Sequence, residues 1–104
     1  MEKIFWIGFS NDERHSAINE IQNVISKYGC VVDFHLFSDI AISMTIEIDE
    51  FKIDILHDEL TKIIGIQKFE YLRSNSKEER IVYLNITFAK GTGNLKIEVP
   101  SVPG

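Results

Sequence analysis

The chain has 104 residues, 44% of them hydrophobic and 26% charged, and its 16 acidic and 11 basic side chains leave a formal net charge of -5. This is the composition of a globular domain rather than of a disordered or fibrous chain, and the length suits one domain over residues 1–104. The acidic balance opposes nucleic-acid binding, which draws on Lys and Arg; no apolar run reaches the roughly 18 residues that cross a bilayer; and a lone cysteine, Cys30, suits a reducing, cytoplasmic setting.

Lys3 to Phe9 is a short apolar run rich in aromatic and β-branched residues and reads as a first strand. Ser10 stands three residues before Glu13, the spacing of a reciprocal helix cap, so a helix is expected from this point. Ala17, Ile18, Ile21, Val24, Ile25 and Tyr28 recur at three- and four-residue steps along it, and Gly29 is placed to end it in a left-handed conformation. From Val31 the period becomes two. Val32, Phe34 and Leu36 alternate with Asp33, His35 and Phe37; then Ile40, Ile42, Met44, Ile46 and Ile48 alternate with Ala41, Ser43, Thr45 and Glu47, which predicts a hairpin with one buried face.

A second helix is expected from about Glu50 to Ile64, with Asp49 as its cap, Ile53, Leu56, Leu60, Ile63 and Ile64 on its apolar stripe, and Gly65 as its stop. Gln67 to Arg73 reads as a fourth strand and "SNSKEE" as a polar loop. Val82, Leu84, Ile86 and Phe88 then mark a fifth strand, and Leu95, Ile97 and Val99 a sixth. The glycines of "KGTGN" between them precede alternation of period two rather than a helix. They form a hairpin turn rather than a phosphate cradle, which needs the free N–H groups of a helix start.

The order βαββαβ predicts an α+β, ferredoxin-like antiparallel sheet with both helices on one face. Residues 81–99 are expected to extend it as a C-terminal β-hairpin, and 100–104 to be a tail. The first strand is apolar on both sides: Ile4 and Trp6 on one, Phe5, Ile7 and Phe9 on the other. Helices on one face leave the second side to be covered by the C-terminal hairpin, by a second protomer or by a ligand. Trp6 is an expected contact residue, and Phe51 and Ile55, four apart on the second helix and off its main stripe, form a second contact patch unless Phe51 simply staples the helix start.

The segment "FHLFSDIAISMTIEIDEFKIDILHDEL", a hairpin with a serine-bearing outer face running into an amphipathic helix, resembles the middle of an ACT-type regulatory domain; with the βαββαβ order, the resemblance covers about residues 3–73. It implies small-molecule binding, often of amino acids, between paired domains near the turn from first strand to first helix. The residues at that turn are Gly8, Ser10, Asn11 and Asp12, in "GFSNDER", where the family usually carries an acidic-x-Pro-Gly pattern.

No segment supplies a catalytic set, and neither a metal nor another cofactor is expected. Asp33 and His35 share a strand face but make only two metal ligands. Asp54, His57 and Asp58 have the helical spacing that gathers ligands, with His57 at the border of the apolar stripe. His15 points away from its helix's core face, and Cys30 has only Lys27 as a nearby base in sequence. Acylphosphatase-like enzymes of this fold rest on an arginine in the loop after the first strand, where this chain is acidic. RNA-binding sheets of this fold need aromatic residues on both central strands, and the third strand shows Ala41, Ser43, Thr45 and Glu47 outward. The expectation is therefore a noncatalytic, ACT-like small-molecule-binding or regulatory module acting as a homodimer. The alternative is a protein-interaction or assembly domain without a small ligand.

Overall fold

The computed structural model describes residues 3–38 and 40–90. Its elements are β1 (Ile4–Glu13), α1 (Arg14–Ser26), β2 (Gly29–Ser38), β3 (Ala41–Asp49), a 3-10 turn (Glu50–Lys52), α2 (Ile53–Thr61), β4 (Gly65–Ile66) and β5 (Glu79–Lys90). The strands form one mixed sheet of five in the order β2-β3-β5-β1-β4. Both helices press their apolar stripes onto one side of it. Ala17, Ile21 and Ile25 of α1 and Ile53, Leu56 and Leu60 of α2 join Trp6, the four alternating residues Ile42 to Ile48, and Val82, Leu84, Ile86 and Phe88 in a single core.

The α+β class and the two-helix layer match the sequence expectation, but the strand order does not. In a ferredoxin-like sheet the first and third strands are neighbours; here β5 lies between them, parallel to β1 and antiparallel to β3. The sheet is therefore mixed rather than antiparallel, and the strand expected as an appended hairpin arm is its middle. Twelve residues pairing on both edges, with alternate side chains buried against the helices, are what a central position requires. The sixth strand, the glycine turn and the tail, 91–104, lie outside the described residues. The fourth strand expected at Gln67 to Arg73 does not form: 67–78 is irregular, apart from Gln67 N donating to Ile7 O at 2.9 Å. The strand beside β1 is instead Gly65–Ile66, which begins at the glycine expected to stop the second helix, while α2 itself ends at Thr61.

Local punctuation also differs from expectation. β1 runs on through "SNDE" to Glu13, pairing there with Lys90 across an irregular register. The Ser10 hydroxyl turns inward and accepts from Asp12 N at 3.1 Å, so it does not cap α1. Glu13 does so alone, accepting from His15 N at 2.9 Å and Ser16 N at 3.1 Å. In β2 a register irregularity between Val31 and Asp33 moves Val32 to the solvent side, leaving Val31 and Phe34 half-buried against the core. Asp49 precedes the 3-10 turn as expected but makes no side-chain cap bond. Gly29 does not end α1 in a left-handed turn; it opens β2 opposite Ile48. A Cβ there would stand 2.7 Å from Glu47 O and 2.9 Å from Ile48 Cβ, so the constraint is the closeness of the β3 backbone.

The turn after β3 is clasped to β5. Glu50 accepts from Ser74 Oγ at 2.6 Å and from Arg80 Nη1 at 2.5 Å, and both charged side chains are mostly buried. The Ser74 hydroxyl first, and the Arg80 guanidinium second, hold the Glu50 carboxyl below its ordinary value of 4.5.

Two outcomes follow. Gly29→Ala should destabilise by about 1–3 kcal/mol in urea unfolding, as an overpacked site does, and Gly29→Asn, which a left-handed stop would accept, should fare no better. A carboxyl with a lowered folded value stabilises above its unfolded value and loses that contribution as pH falls through the folded one. The stability gap between the native chain and Glu50→Gln should therefore be full at neutral pH and narrow below pH 4.5, as read from thermal midpoints against pH.

Candidate functional site

Three of the four residues singled out at the end of the first strand meet in one place. Asn11 and Asp12, with Ser10 beneath them, line a hollow of about 310 Å³. Its other walls are Phe9 and residues 61–65, where α2 ends and β4 begins. Gly8 does not line it. It is buried below, where a Cβ would stand 2.9 Å from Gly65 O and 3.2 Å from Ile64 Cδ1. The Phe9 ring lies over Gly65, its cross-strand partner, so closely that a side chain there would overlap it.

The charges around this hollow are specific. α1 offers no open anion site, since the Glu13 carboxylate takes its first donors, and those N–H groups of His15 and Ser16 hold Glu13 below the ordinary carboxylate value. Lys62, on the rim, is already engaged, its Nζ donating to Glu59 Oε2 at 2.8 Å, which raises its own value. Thr61 Oγ1 donates back to Asp58 O. Asp12 has no cation paired with it among the described residues, and it lines the same hollow as Thr61 and Lys62 at the end of α2.

The expected contact surface is corrected in part. Trp6 is 1% exposed, packed edge-on against His57 at 5.0 Å and Phe69 at 5.2 Å, and belongs to the core. Phe51 is half-buried on the 3-10 turn, and Ile55 is exposed on α2. The exposed apolar surface lies instead on the other side of β1, where Phe5, Ile7 and Phe9 are 59%, 56% and 55% exposed. Register places Tyr83, Asn85 and Thr87 of β5 beside them, then Thr45, Ser43 and Ala41 of β3, then Asp33, His35 and Ser38 of β2. This face grades from apolar to polar across four strands. The Phe5 and Tyr83 rings stack at 5.1 Å, and Lys3 Nζ stands 5.7 Å from the Tyr83 ring centre.

The remaining candidates have structural partners. Asp33 Oδ2 and His35 Nε2 are 3.0 Å apart in open solvent on the edge strand. No group of three metal-ligating residues forms among the described residues. Asp54, His57 and Asp58 do gather something, namely the chain's own segment 67–73. Asp54 accepts from Leu72 N at 2.9 Å and Arg73 N at 2.8 Å, securing Arg73 at a φ of 51°; Asp58 accepts from the Tyr71 hydroxyl. His57 Nε2 lies 3.0 Å from Gln67 O, and because a carbonyl only accepts, that nitrogen carries the proton. His15 and Cys30 are exposed. Among the described residues no helix is long and apolar enough to cross a membrane.

No family model matches the chain, and neither a curated protein nor a solved structure matches it.

Since two main-chain donors depend on Asp54, Asp54→Ala should cost about 1–3 kcal/mol, the range for stranding groups bonded to a charge. Limited proteolysis should then cut first between residues 67 and 78.

Proposed function

We propose that the chain is a noncatalytic binding module, and that the hollow between the ends of β1 and α2 takes a small ligand bearing a positively charged nitrogen, an amino acid being one such ligand. The observation that carries this reading is the convergence of Asn11 and Asp12 with the carbonyl end of α2 on one hollow whose rim lysine is already paired. A helix C-terminus and a carboxylate with no paired cation among the described residues both favour a cation, and the Asn11 side chain offers both an acceptor and donors beside them. The reading rests on this geometry rather than on the ACT resemblance, because β5 separates the strands that the ferredoxin-like order makes adjacent. The Asp33–His35 pair, in open solvent on the edge strand, is no part of this hollow.

A second reading, an interaction domain with no small ligand, is favoured by the exposed side of β1. Thermal unfolding against amino acids, simple amines and amine-free carboxylates separates the two. A ligand at about 100 times its Kd stabilises the native state by about 2.7 kcal/mol, on the order of 10 °C for a domain of this size. The amines and amino acids should raise the midpoint and the carboxylates should not, with the shift abolished in Asp12→Asn. A flat panel, or a shift that survives in Asp12→Asn, would remove this reading.

A further inference from the structure

We infer that the open side of β1 is an interface with a second copy of this chain, arranged about a two-fold axis that passes through Ile7. A two-fold interface must be self-complementary, each patch meeting its own duplicate. The stripe Phe5–Ile7–Phe9 satisfies that condition in its order: aromatic, aliphatic, aromatic, the same in both directions. Rotation about Ile7 sets Ile7 against its equivalent, Phe5 of one copy against Phe9 of the other, and Phe9 against Phe5.

The charges agree with that arrangement. Each copy carries a net charge of -5, so face-to-face packing requires a patch without ionised groups. Phe5, Ile7, Phe9 and their register neighbours Tyr83, Asn85 and Thr87 contain none. Beyond the stripe the two ends of the strand differ in sign, Lys3 before it and Asp12 after it. The rotation that pairs Phe5 with Phe9 brings the lysine end of each copy toward the acidic end of the other.

The area is sufficient at the centre and needs the flank. Three side chains, each more than half exposed, leave on the order of 300 Å² of apolar surface, the size of a monomer's largest patch. A standard interface buries about 800 Å² per partner, so the stripe alone falls short and the adjoining β5 row, Tyr83, Asn85 and Thr87, must also lie under the second copy. Polar β3 and the Asp33–His35 pair then lie toward the solvated rim, as interface anatomy requires.

Sedimentation velocity from micromolar to hundreds of micromolar protein tests this with defined variants. The native chain should sediment as a dimer. Ile7→Lys, which places two like charges at the axis, and Phe5→Lys, as a second variant, should sediment as monomers with unchanged circular dichroism, because both side chains are exposed in the single chain. In a Cys30→Ser background a short bifunctional thiol reagent should cross-link Ile7→Cys to itself. Phe5→Cys should cross-link only when mixed with Phe9→Cys. A native chain that is monomeric at every concentration would overturn the inference, whether residues 91–104 or another protein covers the stripe. So would a dimer that persists in Ile7→Lys, which would place the contact elsewhere, the exposed Val32, Leu36 and Phe37 of β2 being the next apolar surface.

Discussion

The pairing of β5 with both β1 and β3 is the constraint on which the rest of the structure depends. Among the described residues β2 and β3 form a hairpin that reaches the other half of the sheet only through β5, and β1 has on its far side only the two residues of β4. Without β5 the sheet separates into a hairpin and a nearly unpaired strand, and the helices lose the continuous surface against which their stripes are buried. The ladder matches Ile4 with Val82 in parallel and Ile48 with Arg80 in antiparallel pairing, so it closes long loops before it returns any contact energy. The Glu50 clasp acts at that cost, tying the turn after β3 to Arg80 near the start of β5.

Much of this was legible in local periodicity. The alternation at Ile42 to Ile48 and at Val82 to Phe88 names the buried residues of β3 and β5, and the three- and four-residue steps name those of both helices. The double-sided apolar character of β1 was also correct, and it pointed to the open face. Strand order was beyond such reasoning, because alternation reports which face a side chain takes and not which strand lies alongside. The alternation from Val82 to Phe88 suits an edge strand with one buried face as well as a central one, and the full 12-residue length of β5 shows only in the structure.

The smaller differences share one cause: local rules were overridden by a tertiary partner. Ser10 and Glu13 have capping-box spacing, yet β1 continues along β5 through this stretch, so the serine turns inward and the glutamate caps alone. Gly29 has a helix stop's position, but the approach of the β3 backbone sets its requirement. Asp54, His57 and Asp58 have the spacing of a ligand set, and what they hold is main chain and Tyr71 from the same molecule. The Ser10, Asn11 and Asp12 cluster was found for a partly different reason. Its residues were singled out by position after the first strand, whereas the hollow exists because α2 happens to end across from them.

Phe9 belongs to both of the surfaces for which binding is proposed. Its ring is the last member of the exposed stripe and also a wall of the hollow, resting on Gly65, where only a glycine leaves room for it. An occupant of either surface that touches this ring therefore bears on a side chain that belongs to the other. If a ligand in the hollow prefers the ring where a second copy also prefers it, the two binding events share a free energy, and reciprocity makes each strengthen the other by the same factor. A ring driven off Gly65 by either occupant would oppose the other by the same reasoning. A module built this way needs no moving domain to connect ligand and partner: one aromatic ring over one glycine is a sufficient physical link.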